Sequence, residues 1–256
     1  MLFEVLGSTM LYVNYVLFGS PPLEPPEVAK YVELANETFY NVVAIMNWHK
    51  REVVLNSTDG DVILKVDCKK LGTVFIAEME LDIEAVELFN ILWYNSEAAS
   101  DWNPYITSIE KLIDINNQTM ITYQTIGTDA YLLPRDFVNL NSFREIEGAY
   151  YITYQSIEFP GKPYRSGYVR GENGPSGSVI RSEQNATNLS WIFNTDMKMH
   201  WMPKSIMDSM YPAVIENYLK YLRRYIGEYS NNRKLELENL HNLVGKWLRY
   251  YREPTK

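Results

Sequence analysis

The chain is poor in cysteine, in histidine and in positive charge, and each shortage removes a class of function. A single cysteine, Cys68, in 256 residues excludes an internal disulfide framework and makes a thiolate metal cluster implausible, which fits a reducing compartment such as the cytosol. The three histidines, His49, His200 and His241, are scattered, with no second metal ligand at helical or hairpin spacing. A formal net charge of −8 withholds the positive field that phosphate backbones require, so nucleic acid is not an expected partner. There is no G-x-S-x-G elbow, P-loop or GxGxxG turn, and Gly171-Glu172-Asn173-Gly174-Pro175 reads as a turn, not a phosphate cradle. The paired acids Asp59/Asp61 and Glu78/Glu80 lie in turn-rich or alternating contexts and read as solvated charge. Neither enzymatic activity nor a cofactor is expected.

Long apolar runs are also scarce. Met1 to Ser20 is apolar but interrupted by Glu4 and Asn14, and it lacks the basic start of a secretory leader. A spanning helix needs roughly 20 mostly apolar residues, so this stretch reads either as an interfacial or trimmed membrane segment or as an interior helix. What the chain has in quantity is aromatic surface, 14% of residues including 20 Tyr. Rings with polar tips suit a lined cavity, and equally a tyrosine-rich core.

Four prolines in Ser20-Pro21-Pro22-Leu23-Glu24-Pro25-Pro26 mark a linker. From Glu27 to Ile45 apolar residues recur at three- and four-residue steps, predicting an amphipathic helix. Short alternating runs between Trp48 and Leu81 predict three antiparallel strands. A helix follows from Asp82, as N-cap, to Tyr94. Six more strands are expected over Ile106–Ile115, Thr119–Thr125, Arg135–Phe143, Tyr150–Phe159, Ser178–Glu183 and Asn188–Thr195. A helix then starts at Pro203, with Ile206, Met210, Val214, Tyr218, Tyr221, Leu222 and Tyr225 as its apolar stripe and Gly227 as its stop. Leu240, Val244, Trp247 and Tyr251 stripe a further helix from about Arg233 to Arg252, expected to dock on the domain, with a membrane or a partner as the alternatives. An antiparallel sheet buries one face, and the long helix is its natural cover, which gives an α+β fold.

Five strings on these elements, in order, resemble one family. They are Trp102-Asn103-Pro104, Pro134-Arg135-Asp136-Phe137-Val138-Asn139, Tyr168-Val169-Arg170-Gly171-Glu172-Asn173-Gly174-Pro175, Trp191-Ile192-Phe193-Asn194-Thr195-Asp196-Met197-Lys198 and Pro203-Lys204-Ser205-Ile206. The chain is similar to the START (steroidogenic acute regulatory lipid-transfer) domain family over roughly residues 27 to 229. Within it, the likeness is to the sterol- and carotenoid-binding branch with the steroidogenic acute regulatory protein and its late-endosomal membrane-anchored relative. The resemblance divides the chain into residues 1–26, a START domain at 27–229 and an extra C-terminal helix at 230–256.

The resemblance implies a helix-grip fold, in which a curved antiparallel sheet wraps the long C-terminal helix around an apolar tunnel. It implies non-enzymatic transfer of one sterol, such as cholesterol, between membranes, with transient contact at membrane surfaces and a cytoplasmic location, possible association with endosomal or other intracellular membranes included. A carotenoid ligand, or a scaffold whose tunnel is filled by its own side chains, are the alternatives. Sterol-binding relatives place an acid and an arginine on facing strands deep in the tunnel, and the alignment puts Gln124 and Asn141 there. Two amides can still read a hydroxyl. Thr153, Gln155 and Trp191 are expected to point inward from their strands, and Met210 and Val214 from the terminal helix.

Overall fold

A computed structural model describes residues 25–127, 133–184 and 186–252, with side chains between residues 27 and 235. The amphipathic pattern after the prolines forms helix α1 (Pro25–Met46), which buries Tyr31, Ala35, Phe39, Val42 and Ile45 at steps of three and four. A meander of β1 (Glu52–Asn56), β2 (Val62–Cys68) and β3 (Gly72–Leu81) follows. The chain then crosses through α2 (Ala85–Leu92), a 3₁₀ turn (Ser96–Ala98) and the short α3 (Ala99–Trp102).

A second meander runs through β4 (Ile106–Asn116), β5 (Thr119–Ile126), β6 (Arg135–Ile146) and β7 (Ala149–Ser156). Its last hairpin turns on Glu147 and Gly148 at φ 52° and 76°, the two left-handed residues that a tight two-residue loop requires. The pairs β8 (Val169–Arg170) and β9 (Glu172–Asn173) precede β10 (Ser176–Ser182), β11 (Thr187–Phe193) and β12 (Thr195–Asp196). Helix α4 (Lys204–Arg252) ends the described chain.

The main sheet has the order β1-β2-β3-β11-β10-β7-β6-β5-β4, antiparallel throughout, with β8 added parallel to β6. Strand β11 joins the two meanders by pairing with β3 and β10. Both faces are covered. Along one, α1 packs on Ile121, Tyr123, Val138 and Leu140, and further on over Val66, Val74, Ile76 and Ile192. Against the other lie α2, α3 and α4, with Leu88, Trp102, Leu219 and Leu222 in the same core as Phe75, Met79, Leu189 and Trp191. No described helix is long and apolar enough to cross a membrane, and residues 1–24 lie outside the described chain.

Three expectations are corrected. Helix α2 begins after Glu84, not at Asp82, and no side chain caps it. Gly227 does not stop the last helix: its backbone avoids the left-handed region, and one mid-helix glycine costs only about 1 kcal/mol against the burial of Leu222 and Ile226 beside it. One helix therefore runs from Lys204 to Arg252 where two were expected. Its buried row is Ile215, Leu219, Leu222 and Ile226, while Ile206, Met210 and Val214 stay 48–49% exposed. Adjacent rows of α4 are both apolar, so periodicity alone could not choose between them.

Candidate ligand cavity

Between the sheet and α4 lies an interior cavity of about 790 Å³, within the range that suits small-molecule ligands. Strand alternation builds its floor: Met120, Thr122, Gln124 and Ile126 from β5, Phe137, Asn139 and Asn141 from β6, and Ile152 and Tyr154 from β7. Trp191 and Phe193 of β11 continue that surface, with their rings stacked at 5.7 Å between centroids. Residues Met207 to Tyr221 of α4 form the roof, and Trp93, Trp102 and Asn103 close one side. The described side chains thus leave this space between sheet and helix open.

Polar groups are few and mostly matched to one another. The Asn141 amide donates to Thr122 Oγ1 at 2.9 Å and to the Asn139 carbonyl at 3.0 Å. Because that carbonyl can only accept, the nitrogen must lie on this side and Asn141 Oδ1 on the other. Asn139 Oδ1 in turn accepts from Ser156 Oγ at 2.9 Å and Asn173 Nδ2 at 3.1 Å, and Asn173 Oδ1 accepts from Thr195 Oγ1 at 2.7 Å. The Tyr211 hydroxyl of α4 donates to the Thr195 carbonyl at 2.8 Å, tying roof to floor. Gln124 makes no side-chain hydrogen bond among the described residues, although it lines the cavity.

A second polar group surrounds Tyr154 and Tyr218. Trp191 Nε1 donates to the Tyr154 hydroxyl at 3.4 Å, and the Trp191 and Tyr218 rings meet edge to face at 5.1 Å. Burial pushes the hydroxyls of Tyr154 and Tyr218 well above the usual tyrosine range, so both are neutral donors. Asn103 is wholly buried here. Its Oδ1 accepts from the Tyr105 backbone at 3.0 Å, while its Nδ2 has no hydrogen-bond partner among the described residues.

The cavity brings together Gln124, Asn141, Trp191, Met210 and Val214, five of the residues singled out in the sequence. Thr153 and Gln155 are not among its walls, because Ile152 and Tyr154 occupy the inward positions of β7 and alternation turns their neighbours to the opposite face. Thr153 is buried there, hydrogen-bonded to Ser142 at 3.0 Å. Gln124 and Asn141 do not face each other either: the register sets Gln124 opposite Phe137 and Asn141 opposite Met120. Thr122 is the residue that Asn141 meets. Sequence reading missed Tyr154, Asn139, Asn173 and Asn103. For Tyr154 a signal existed, since it shares a strand face with apolar Ile152.

Met210 and Val214 line the cavity and are also half exposed, so they form its rim. With Ile206 and the 68% exposed Trp201 they make an apolar lip at the start of α4. Met197, Met199 and Met202, whose long side chains adapt to varied shapes, line the cavity beside this lip. A shallower depression of about 460 Å³, open to solvent, lies between the β2–β3 turn and α4, with charged Asp67, Lys69, Lys204 and Asp208 on its walls. Among the described residues no three His, Cys, Asp or Glu side chains gather as a metal site.

A START domain model matches residues 42–231. The chain belongs to the START domain family. The mitochondrial steroidogenic acute regulatory protein of Danio rerio is 27% identical over 202 residues, covering 75% of this chain and 70% of that protein. The corresponding protein of Salvelinus fontinalis is 28% identical over 214 residues, covering 80% and 73%. Among solved structures, human StAR-related lipid transfer protein 5 superposes with a TM-score of 0.72 at 18% identity, over 78% of this chain and 98% of that one. Human STARD10 gives 0.68 at 17% identity, over 86% and 89%. These two confirm the START fold, and the cavity lies between the sheet and terminal helix of that fold.

Proposed function

We propose that this START domain holds one sterol-like alcohol in its cavity and carries it between membranes without changing it chemically. The observation that carries the reading is Asn141. Both of its amide protons are engaged within the floor, so the oxygen left over can only accept, and its partner on a ligand must donate. A hydroxyl meets that need and a ketone does not. Gln124 lines the same cavity from β5, opposite Phe137, and makes no side-chain hydrogen bond among the described residues. The surrounding aromatic and aliphatic walls suit a rigid apolar body, whose burial supplies affinity at roughly 25 cal/mol per Å² before the costs of binding. Similarity to the steroidogenic acute regulatory proteins supports the choice of a sterol.

The half-exposed lip of Trp201, Ile206, Met210 and Val214 supplies the membrane-facing mouth, where apolar side chains enter the bilayer interface as cargo passes. Among the described residues the walls hold no pair of groups poised as nucleophile and base, which supports transport over catalysis. A vesicle-to-vesicle assay with a labelled sterol tests the proposal. Saturable acceleration with the sterol recovered intact supports it. Conversion of the sterol, or no saturable binding, contradicts it, and a coloured purified protein moves the reading to a hydroxylated polyene.

A further inference from the structure

The family match ends at residue 231, yet α4 continues unbroken to Arg252. At 1.5 Å per residue the helix runs on for about 28 Å past Arg233, whose guanidinium pairs with the Glu87 carboxylate of α2. A continuous helix has no turn at which to fold back, so the expected docking of this segment on its own domain lacks the bend it needs.

The residues set along this extension are sharply sorted. At 100° per residue, Leu237, Leu240, Leu243, Val244, Trp247, Leu248, Tyr250 and Tyr251 share one face, an apolar arc of roughly 160°. The opposite face carries Lys246, Arg249 and Arg252. Between Glu238 and Glu253 there is no acid, in a chain whose formal net charge is −8.

We propose that residues 237–252 form an interfacial helix that holds the protein on anionic lipid bilayers. Two features choose lipid over a second copy of the chain. The apolar arc is far wider than the narrow seam of a two-stranded coiled coil, and it contains Trp247, Tyr250 and Tyr251, residue types that favour the headgroup boundary. The basic face complements phosphatidylserine-type headgroups. Because the same α4 roofs the cavity, the anchor and the mouth belong to one continuous helix. The inference does not depend on which lipid fills the cavity.

The test is vesicle flotation of the full chain on phosphatidylcholine vesicles with and without phosphatidylserine. Binding should require phosphatidylserine, and the triple substitution Lys246→Glu, Arg249→Glu and Arg252→Glu should weaken it by at least about tenfold. Trp247→Ser, which keeps every charge, should weaken it as well. Cargo affinity and helical circular dichroism should be unchanged in both, which separates loss of the anchor from loss of the cavity or of the fold. Undiminished flotation of the triple variant overturns the proposal. So does a dimer in light scattering that dissociates on Trp247→Ser, since the face would then belong to a second copy.

Discussion

Asn141 on β6 donates to Thr122 Oγ1 on β5 at 2.9 Å, so the two strands under the cavity are joined by a neutral side-chain bond. A buried ion pair at such a place carries a desolvation penalty of several kcal/mol, which a pair of neutral groups avoids. The same bond turns Asn141 Oδ1 into a dedicated acceptor. Replacing Asn141 by Leu should weaken binding of a hydroxylated sterol by roughly 1 to 3 kcal/mol, because the ligand's donor is then left without a partner. The corresponding ketone should lose little. Equilibrium binding of the two ligands to both proteins checks this, and equal losses would assign Asn141 a purely structural role.

Pro212 divides α4 at the point where its character changes. Beyond it, Ile215, Leu219 and Leu222 are buried, and Arg223 holds the carboxylate of Asp61 and donates to the Glu80 carbonyl at 2.8 Å. Before it, Ile206 and Met210 are half exposed, and most of the described bonds there are polar contacts at the surface, such as Lys204 to Asp208 at 2.9 Å. Proline leaves the Asp208 carbonyl without its helical donor and weakens the ladder at this boundary. Pro212→Ala should therefore slow sterol exchange between vesicles while leaving equilibrium affinity nearly unchanged. Unaltered exchange kinetics in the folded variant would place the opening elsewhere.

At Gly177 of β10 the backbone of β7 occupies the space where a side chain would begin. A Cβ there would stand 2.3 Å from the Ile152 carbonyl oxygen of β7, and backbone cannot yield as a flexible side chain can. Gly177→Ala should destabilise the fold by about 3 kcal/mol, read as a lower denaturant midpoint at an unchanged slope. Gly60, with open space around it but φ 86°, should lose less on the same change.

Much of this was legible in the sequence. Turn chemistry and alternation gave the nine long strands to within a few residues, because each strand has one face committed to a core. The short pairs β8, β9 and β12, each two residues long, fall below any periodic signal. The site was only partly legible. Trp191 announces itself by type, but the inward set on β7 depends on a register that either phase of Tyr150-Tyr151-Ile152-Thr153-Tyr154-Gln155 would satisfy, since aromatic and polar residues alternate weakly there. In the same way, the partner of Asn141 depends on how β5 and β6 align in register, which residue spacing leaves open.

The cavity tyrosines make a pH prediction. Burial, reinforced by Asp196 and Asp208, raises Tyr211 from the usual 10.0 to about 12, and Tyr154 and Tyr218 are raised also. A group whose folded pKa exceeds its unfolded value favours folding fully below the unfolded value and loses that contribution as the pH climbs through the folded one. Stability should thus fall between pH 10 and about 12. Spectrophotometric titration should show exposed tyrosines ionising first and a buried set ionising together with loss of near-ultraviolet circular dichroism. Ionisation of all tyrosines in one step near pH 10, with the fold intact, would show that the cavity is open to water.

The central claim, one hydroxylated sterol-like lipid per cavity, is tested most directly by mass spectrometry of the protein purified from lipid-rich cells. Native spectra should show a single lipid bound per chain, and denaturing spectra should identify a free alcohol of sterol type, with the bound fraction reduced in Asn141→Leu. A protein that emerges without ligand, or with only phospholipid or sterol ester unaffected by that substitution, would contradict the account.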